Sequence, residues 1–166
     1  HKPSRVIVFD REQNVEIPVK DYDVDYKNLV KNAPSIDAIA LPANHPSYIL
    51  YTSGTTGKPK GIIRDTGGYA TALKFSMKYV YGVDEGDTYW AASDVGWVVG
   101  HSYIVYAPLL NRNTTILFEG KPIKTPDAST FWRVISEHNV KVMFTAPTAI
   151  RAIKKEDPNG HMIKRF

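Results

Sequence analysis

The chain has 166 residues, 43% of them hydrophobic and 23% charged, a globular composition with room for a core that excludes disordered and fibrous classes. Its formal net charge is +4, and the basic residues are scattered apart from Lys154-Lys155 and Lys164-Arg165, so no stripe of the kind that binds nucleic acid is present. Cysteine is absent, which removes disulfides and thiolate metal sites and agrees with a reducing compartment.

The chain opens on "HKPSRVIVFD", which has neither an initiating Met nor the apolar core of a signal peptide, and it stops at "HMIKRF" without a closing element. Both ends are expected of a piece of a longer protein. Arg5–Phe9 is the first predicted strand. From Asp10 to Pro46 the chain carries Asp21, Asp23 and Asp25 with Pro18, Pro34, Pro42 and Pro46, and only one modest helical pattern near Tyr26–Lys31. This stretch is expected to be a connecting region over the surface, which divides the chain into 1–47 and 48–166.

Further strands are predicted at Tyr48–Thr52, Gly61–Arg64, Thr88–Ala92, Thr114–Phe118 and Val142–Thr145, each a short β-branched or aromatic run. Between them a helix is predicted from Gly68 to Tyr81, ending at Gly82, and another over Ala128–Asn139, where Phe131, Val134, Ile135 and His138 recur at helical steps after Pro126-Asp127. A last helix follows Pro147, with Ala149, Ile150 and Ile153 on one face. The alternation predicts an α/β fold with a largely parallel sheet and flanking helices. Val95–Leu110, the longest mostly apolar stretch, is broken by Gly96, Gly100, His101 and Ser102 and is too short to span a bilayer, so it is expected to be buried and no membrane insertion is expected.

The loop "YTSGTTGKPKG", Tyr51 to Gly61, concentrates chemistry. Gly54, Gly57 and Gly61 permit a backbone whose successive N–H groups form an anion-binding concavity. Thr52, Ser53, Thr55 and Thr56 add hydroxyl donors, and Lys58 and Lys60 add charge-assisted contacts, an inventory suited to a polyphosphate. It is not a Walker A loop, because Pro59 stands where that pattern needs its second glycine. Pro59 also disfavours helical geometry at Lys58, so the loop is predicted to join two strands. From composition alone the competing reading is a Gly- and Thr-rich hairpin turn without a ligand.

"YTSGTTGKPKG" resembles the phosphate-binding signature of the adenylate-forming superfamily, whose members include acyl-CoA synthetases, luciferases and peptide-synthetase adenylation domains. The resemblance implies a fragment of the large N-terminal domain of such an enzyme, with ATP, Mg²⁺ and coenzyme A as cofactors and co-substrates. It places Thr52, Ser53, Gly54, Thr55, Thr56, Gly57, Lys58, Lys60 and Gly61 at the ATP phosphates, Lys60 and Thr52 acting catalytically. No nucleophilic side chain is required, in keeping with the absence of cysteine and of a G-x-S-x-G elbow.

Downstream, "YWAASDVGWVVGHSYIVYAPLLNRNTTILFEGKP" and "MFTAPTAIRAIKKED" narrow the resemblance to short-chain acyl-CoA synthetases of the acetyl- and propionyl-CoA synthetase group, and within it to the mitochondrial, propionate-preferring branch. The likeness runs from about Tyr48 onward. It implies an acyl pocket near CoA at Trp97, Val98, Val99, Gly100 and His101, and a mitochondrial-matrix location with the cytoplasm as alternative. Acetyl-specific relatives read Trp-Val-Thr-Gly-His where this chain has Trp97 to His101; Val99 in place of the threonine leaves the pocket apolar and favours propionate over acetate. A CoA-contacting Asn of those relatives corresponds to Ile123.

On physical grounds, Asp94 to Trp97 is predicted to leave a strand end and enter a helix, with Asp94 as its N-cap and no metal role assigned. Trp97 is read as a pocket wall, His101 equally as a substrate contact or a buried structural histidine, and Trp90 and Trp132 as packing. Glu119 and Asp65 are read as structural charges and Arg64 as a phosphate-neutralising one. The family's adenine, ribose, magnesium, hinge and catalytic-lysine elements find no match here, so the 166 residues alone are expected to be inactive. A non-catalytic nucleotide- or partner-binding module, and an adenylating enzyme with a carrier-protein thiol acceptor, are the competing functions. Oligomeric state is not legible.

Overall fold

A computed structural model describes residues 3–11, 20–54 and 57–166 and divides the chain into two compact units, His1–Ala40 and Leu41–Phe166. In the first, strands β1 (Val6–Val8) and β2 (Asp23–Asp25) pair in parallel, Val6 opposite Asp23. Helix α1 (Tyr26–Lys31) follows at once. The aspartates that punctuate this stretch have structural work: the Asp25 carboxylate accepts the Asn28 N–H at 2.7 Å as the N-cap, and Asp23 accepts the Lys20 N–H at 2.8 Å. The expected connecting region therefore holds a strand as well as its helix. Pro18, within it, lies outside the described residues.

In the second unit, β3 (Pro46–Thr52) and β4 (Lys60–Asp65) form an antiparallel hairpin. A separate parallel sheet has the order β6-β5-β7, from β5 (Thr88–Ala92), β6 (Thr114–Thr115) and β7 (Val140–Thr145). Helices α2 (Gly67–Tyr79), α3 (Ala107–Leu110), α4 (Thr130–Glu137) and α5 (Pro147–Glu156) surround it, with a π-helical segment, Gly100–Tyr106, running into α3.

The middle strand, β5, reads TYWAA and is covered on both faces, as a central parallel strand should be. Its side chains alternate between two cores. Tyr89 and Ala91 join Leu73 and Met77 of α2 with Val83, Ile104 and Ala107, while Trp90 joins Ala128, Phe131, Val134 and Ile153. Trp90 stacks edge-on with Phe131 at 4.8 Å and Phe118 at 5.5 Å between ring centres. Each fully buried large side chain contributes about 1.5–3 kcal/mol.

Helix α2 begins where Asp65 accepts the N–H groups of Gly68 at 3.2 Å and Tyr69 at 3.1 Å. It ends at Tyr79 with Val80 as its C-cap, two residues before the predicted Tyr81, and Gly82 beyond it takes φ 64°. Three further expectations need correction. The strand predicted over Thr114–Phe118 pairs only at Thr114–Thr115, because Phe118 turns inward onto Trp90 and Leu117 outward to solvent. The helix predicted over Ala128–Asn139 stops at Glu137, with Asn139 in the left-handed region at φ 48°. Val95–Leu110 is not uniformly buried: Gly100, Ser102, Ile104 and Ala107 face inward, whereas Trp97, Tyr106 and Leu109 are exposed, as on any helix with one face on a core.

Candidate functional site

The glycine- and lysine-rich loop is the turn of the β3–β4 hairpin. Thr52 closes β3 and pairs with Lys60, and Tyr51 pairs with Gly61, so the ladder sets both loop ends in fixed register. Between them the Gly57 N–H bonds back to the Gly54 carbonyl at 3.4 Å. Gly54 and Gly57 take φ of 64° and 80°, a conformation that resists side chains. A Cβ on Gly54 would collide with the Lys58 carbonyl oxygen, whereas one on Gly57 would meet nothing within 4 Å. Thr52, Ser53, Gly57, Lys58, Lys60 and Gly61 are exposed and Gly54 is half-buried. Neither Lys58 nor Lys60 forms an ion pair among the described residues. Thr55 and Thr56 lie outside the described residues. Among the described residues the outcome is an exposed turn presenting the hydroxyls of Thr52 and Ser53 with the Lys58 and Lys60 cations, which have no acidic partner, a setting in which an anion gains charge-assisted contacts.

The second group begins where β5 ends at Ala92. Asp94 accepts the Gly96 N–H on its side-chain oxygen at 2.7 Å, and its carbonyl accepts the Trp97 N–H at 3.2 Å. Asp94 thus holds a tight turn and does not cap the helix, since the π-helical segment has no side-chain cap. Gly100 is buried against this turn so closely that a Cβ would overlap the Asp94 carbonyl and Val95. Val98 and Val99 are half-buried, and Trp97 is 71% exposed.

The two groups meet at their bases. The His101 ring stands edge-on to Tyr48 of β3, 5.8 Å between centres, and forms no hydrogen bond among the described residues. Tyr48 donates to the Tyr69 hydroxyl at 3.0 Å, and Tyr69 shares a 2.7 Å hydrogen bond with buried Ser102. Arg64, the partner of Tyr48 across the hairpin, lies over the Tyr69 ring at 5.6 Å with its Nε buried and unbonded. Burial, aided by the Tyr69 hydrogen bond, pushes the Tyr48 hydroxyl up to about 12, with Arg64 pulling the other way. None of these partnerships is visible in the sequence pattern, because Tyr48, Tyr69 and Ser102 belong to three different elements. Asp65, read as a structural charge, is one: it starts α2.

Beside the Asp94 turn, Ser93, Asp94, Val95, Leu117 and Phe118 line a cavity of about 570 Å³ with Trp90 in its wall. The Trp90 indole N–H has no partner there. Trp90 packs as expected and also borders this space, while Trp97 does not line it. Among the described residues no group of three His, Asp or Glu side chains forms a cation cage, and no helix is long and apolar enough to cross a membrane.

The AMP-binding enzyme family matches residues 1–164. Over its whole length the chain is 51% identical to the mitochondrial acyl-CoA synthetase short-chain family member 3 of Rattus norvegicus and 52% identical to that of Homo sapiens, covering 24% of each. It is 51% identical to acetyl-coenzyme A synthetase 2 of Pseudomonas aeruginosa over 92% of its own residues, again 24% of that relative. The chain spans about a quarter of the length of the curated relatives it matches. A family match that leaves only the last two residues uncovered, on an α/β fold that places a lysine- and glycine-rich hairpin beside a second loop at a strand end, shows that this chain belongs to the AMP-binding enzymes.

Proposed function

We propose that the chain is the phosphate-handling segment of a short-chain acyl-CoA synthetase, which joins a small carboxylate to AMP at the expense of ATP and then passes the acyl group to coenzyme A. The observation that carries this reading is the exposed hairpin turn, with Lys60 paired to Thr52 at its neck and neither Lys58 nor Lys60 neutralised by an acid among the described residues. A carboxylate oxygen attacks the α-phosphorus, the bond to the bridging oxygen breaks, and pyrophosphate leaves. The charge that grows on the leaving group is met by preorganised cations and donors. Lys60 and Thr52 are the catalytic members, with Ser53, Gly54, Thr55, Thr56, Gly57, Lys58 and Gly61 holding the β and γ phosphates. Mg²⁺ enters on ATP, an ion commonly carried by substrate phosphates.

Trp97, Val98, Val99, Gly100 and His101 form the acyl side. Two valines without a hydroxyl favour propionate over acetate, a preference worth about 1–3 kcal/mol for one methylene. A mitochondrial-matrix address rests on the relatives' names, with the cytoplasm as alternative because a bacterial relative matches as well. Subcellular fractionation distinguishes the two.

Carboxylate-dependent exchange of labelled pyrophosphate into ATP tests the activity in the full-length protein that carries this chain. Exchange strongest with propionate, weaker with acetate and butyrate, and depressed at least a hundredfold in Lys60→Ala is expected. Absence of exchange with every acid tried turns the reading to a non-catalytic binding module, and a higher kcat/KM for acetate overturns the substrate order. The isolated 166 residues are expected to form no acyl-CoA.

A further inference from the structure

Among the described residues the hairpin shares no ladder with the three-stranded sheet. A two-stranded ribbon is marginal by itself, so its aim depends on what ties it down. At its base, two backbone bonds link the start of α2 to the segment before β3: Thr66 N–H to the His45 carbonyl and Gly67 N–H to the Ala43 carbonyl. Higher up, the tie is a chain of hydroxyls. Tyr48 on β3 donates to Tyr69 on α2. Tyr69 in turn shares a hydrogen bond with the Ser102 hydroxyl on the π-helical segment. Ser102 is buried and adjoins His101, and Tyr106 packs against both tyrosine rings at 6.1–6.2 Å.

We propose that Tyr69 is a positioning residue that sets the phosphate hairpin and the His101 segment in one fixed relation, so that its hydroxyl governs ATP and carboxylate handling together. This rests on the adenylation reading for its catalytic consequence, though the mechanical tie is independent of it. Tyr69 has the three features the role needs. It bonds to both elements through one oxygen, it stands on a helix anchored in the core by Leu73 and Met77, and the Arg64 guanidinium lies over its ring at 5.6 Å. Arg64 lies on β4, so both strands of the hairpin register on the same ring.

The test compares wild type, Tyr69→Phe and, as control, Tyr79→Phe in the full-length protein. Tyr79 is on the same helix, exposed and outside the hydroxyl chain. Amide hydrogen exchange is expected to quicken about tenfold in Tyr69→Phe in both the Pro46–Asp65 hairpin and Gly100–Tyr106, with β5 and β7 unchanged, the scale of one lost hydrogen bond. Quickening confined to α2, or spread evenly into β5 and β7, overturns the proposal. Pyrophosphate exchange is expected to lose about tenfold in kcat/KM for ATP and for carboxylate alike; a loss toward one substrate only, or an equal loss in Tyr79→Phe, also overturns it. If wild type fails to exchange with any of the acids, the adenylation reading fails and the amide arm alone decides the tie. Should Tyr69→Phe not fold, Tyr48→Phe removes the outer donor and reads the same coupling.

Discussion

Asn111 and Asn113 clasp one another across the left-handed residue Arg112, Asn111 donating its amide N–H to the Asn113 side-chain oxygen at 2.8 Å. Both are buried, and both also hold the Val83–Asp87 turn that feeds β5: Asn111 donates to the Val83 carbonyl at 3.2 Å, and Asn113 to those of Asp84 at 2.6 Å and Asp87 at 3.1 Å. Asn113→Ala takes one of two donors from the Asp84 and Asp87 carbonyls, which keep the N–H groups of Asp87 and Thr114, and leaves one buried Asn111 N–H without its acceptor, so a loss of about 1–3 kcal/mol in urea unfolding is expected. A loss below about 1 kcal/mol would show that water replaces the network.

Phe131 fills the second core against Trp90. Phe131→Ala is expected to cost about 3–5 kcal/mol, because the cavity beside Trp90 already leaves that wall thinly supported and collapse onto it is limited. Chemical denaturation of the variant against wild type gives the figure directly.

Gly54 and Gly57 separate backbone conformation from crowding. Both have positive φ, yet only Gly54 has a carbonyl in the path of a side chain. Calorimetric titration with Mg·ATP is expected to show Gly57→Ala weakened by several-fold and Gly54→Ala by about a hundredfold, since the second adds a clash to the strain of a left-handed residue. Equal effects would mean that conformation alone matters.

Alkaline pH should strike the tyrosine contacts. Burial raises Tyr48 and Tyr81 from the ordinary tyrosine value of 10.0 to about 12, neighbouring hydroxyls adding to it. A raised folded-state value means that the native chain holds the proton longer than the unfolded one. The associated stability is therefore whole below pH 10 and is lost as pH climbs toward 12. Thermal melts between pH 9 and 12 are expected to fall over that window, and the double variant Tyr48→Phe and Tyr81→Phe to fall less steeply.

Much of this architecture is legible in residue order. The β5 run, the helical period over Phe131 and Val134, Gly82 as a stop and Pro59 as a bar to a helix each act through neighbours in sequence, and the hairpin, the parallel sheet and the helices stand where those signals put them, within a few residues. What escapes is set by contacts between distant residues. Phe118 leaves its strand because Trp90 offers a ring to stack on. Asp94 braces a turn of its own because Gly96 presents an N–H at 2.7 Å. Strand β2 owes its existence to β1, fifteen or more residues away. The loop's residue types are plain in the sequence, but the hydroxyl chain from Tyr48 to Ser102 needs three elements to be folded before it exists.

Gly100 has a bearing on how this corner can diverge. With no room for even a methyl group between it and the Asp94 carbonyl, the main chain follows one track past this corner, and any larger residue would displace the turn. The neighbours at 98 and 99 carry side chains on that fixed track and are only half-buried. Natural variation can therefore exchange those two residues like bits in a drill chuck, altering the size and polarity of what they present while the backbone that holds them stays in place.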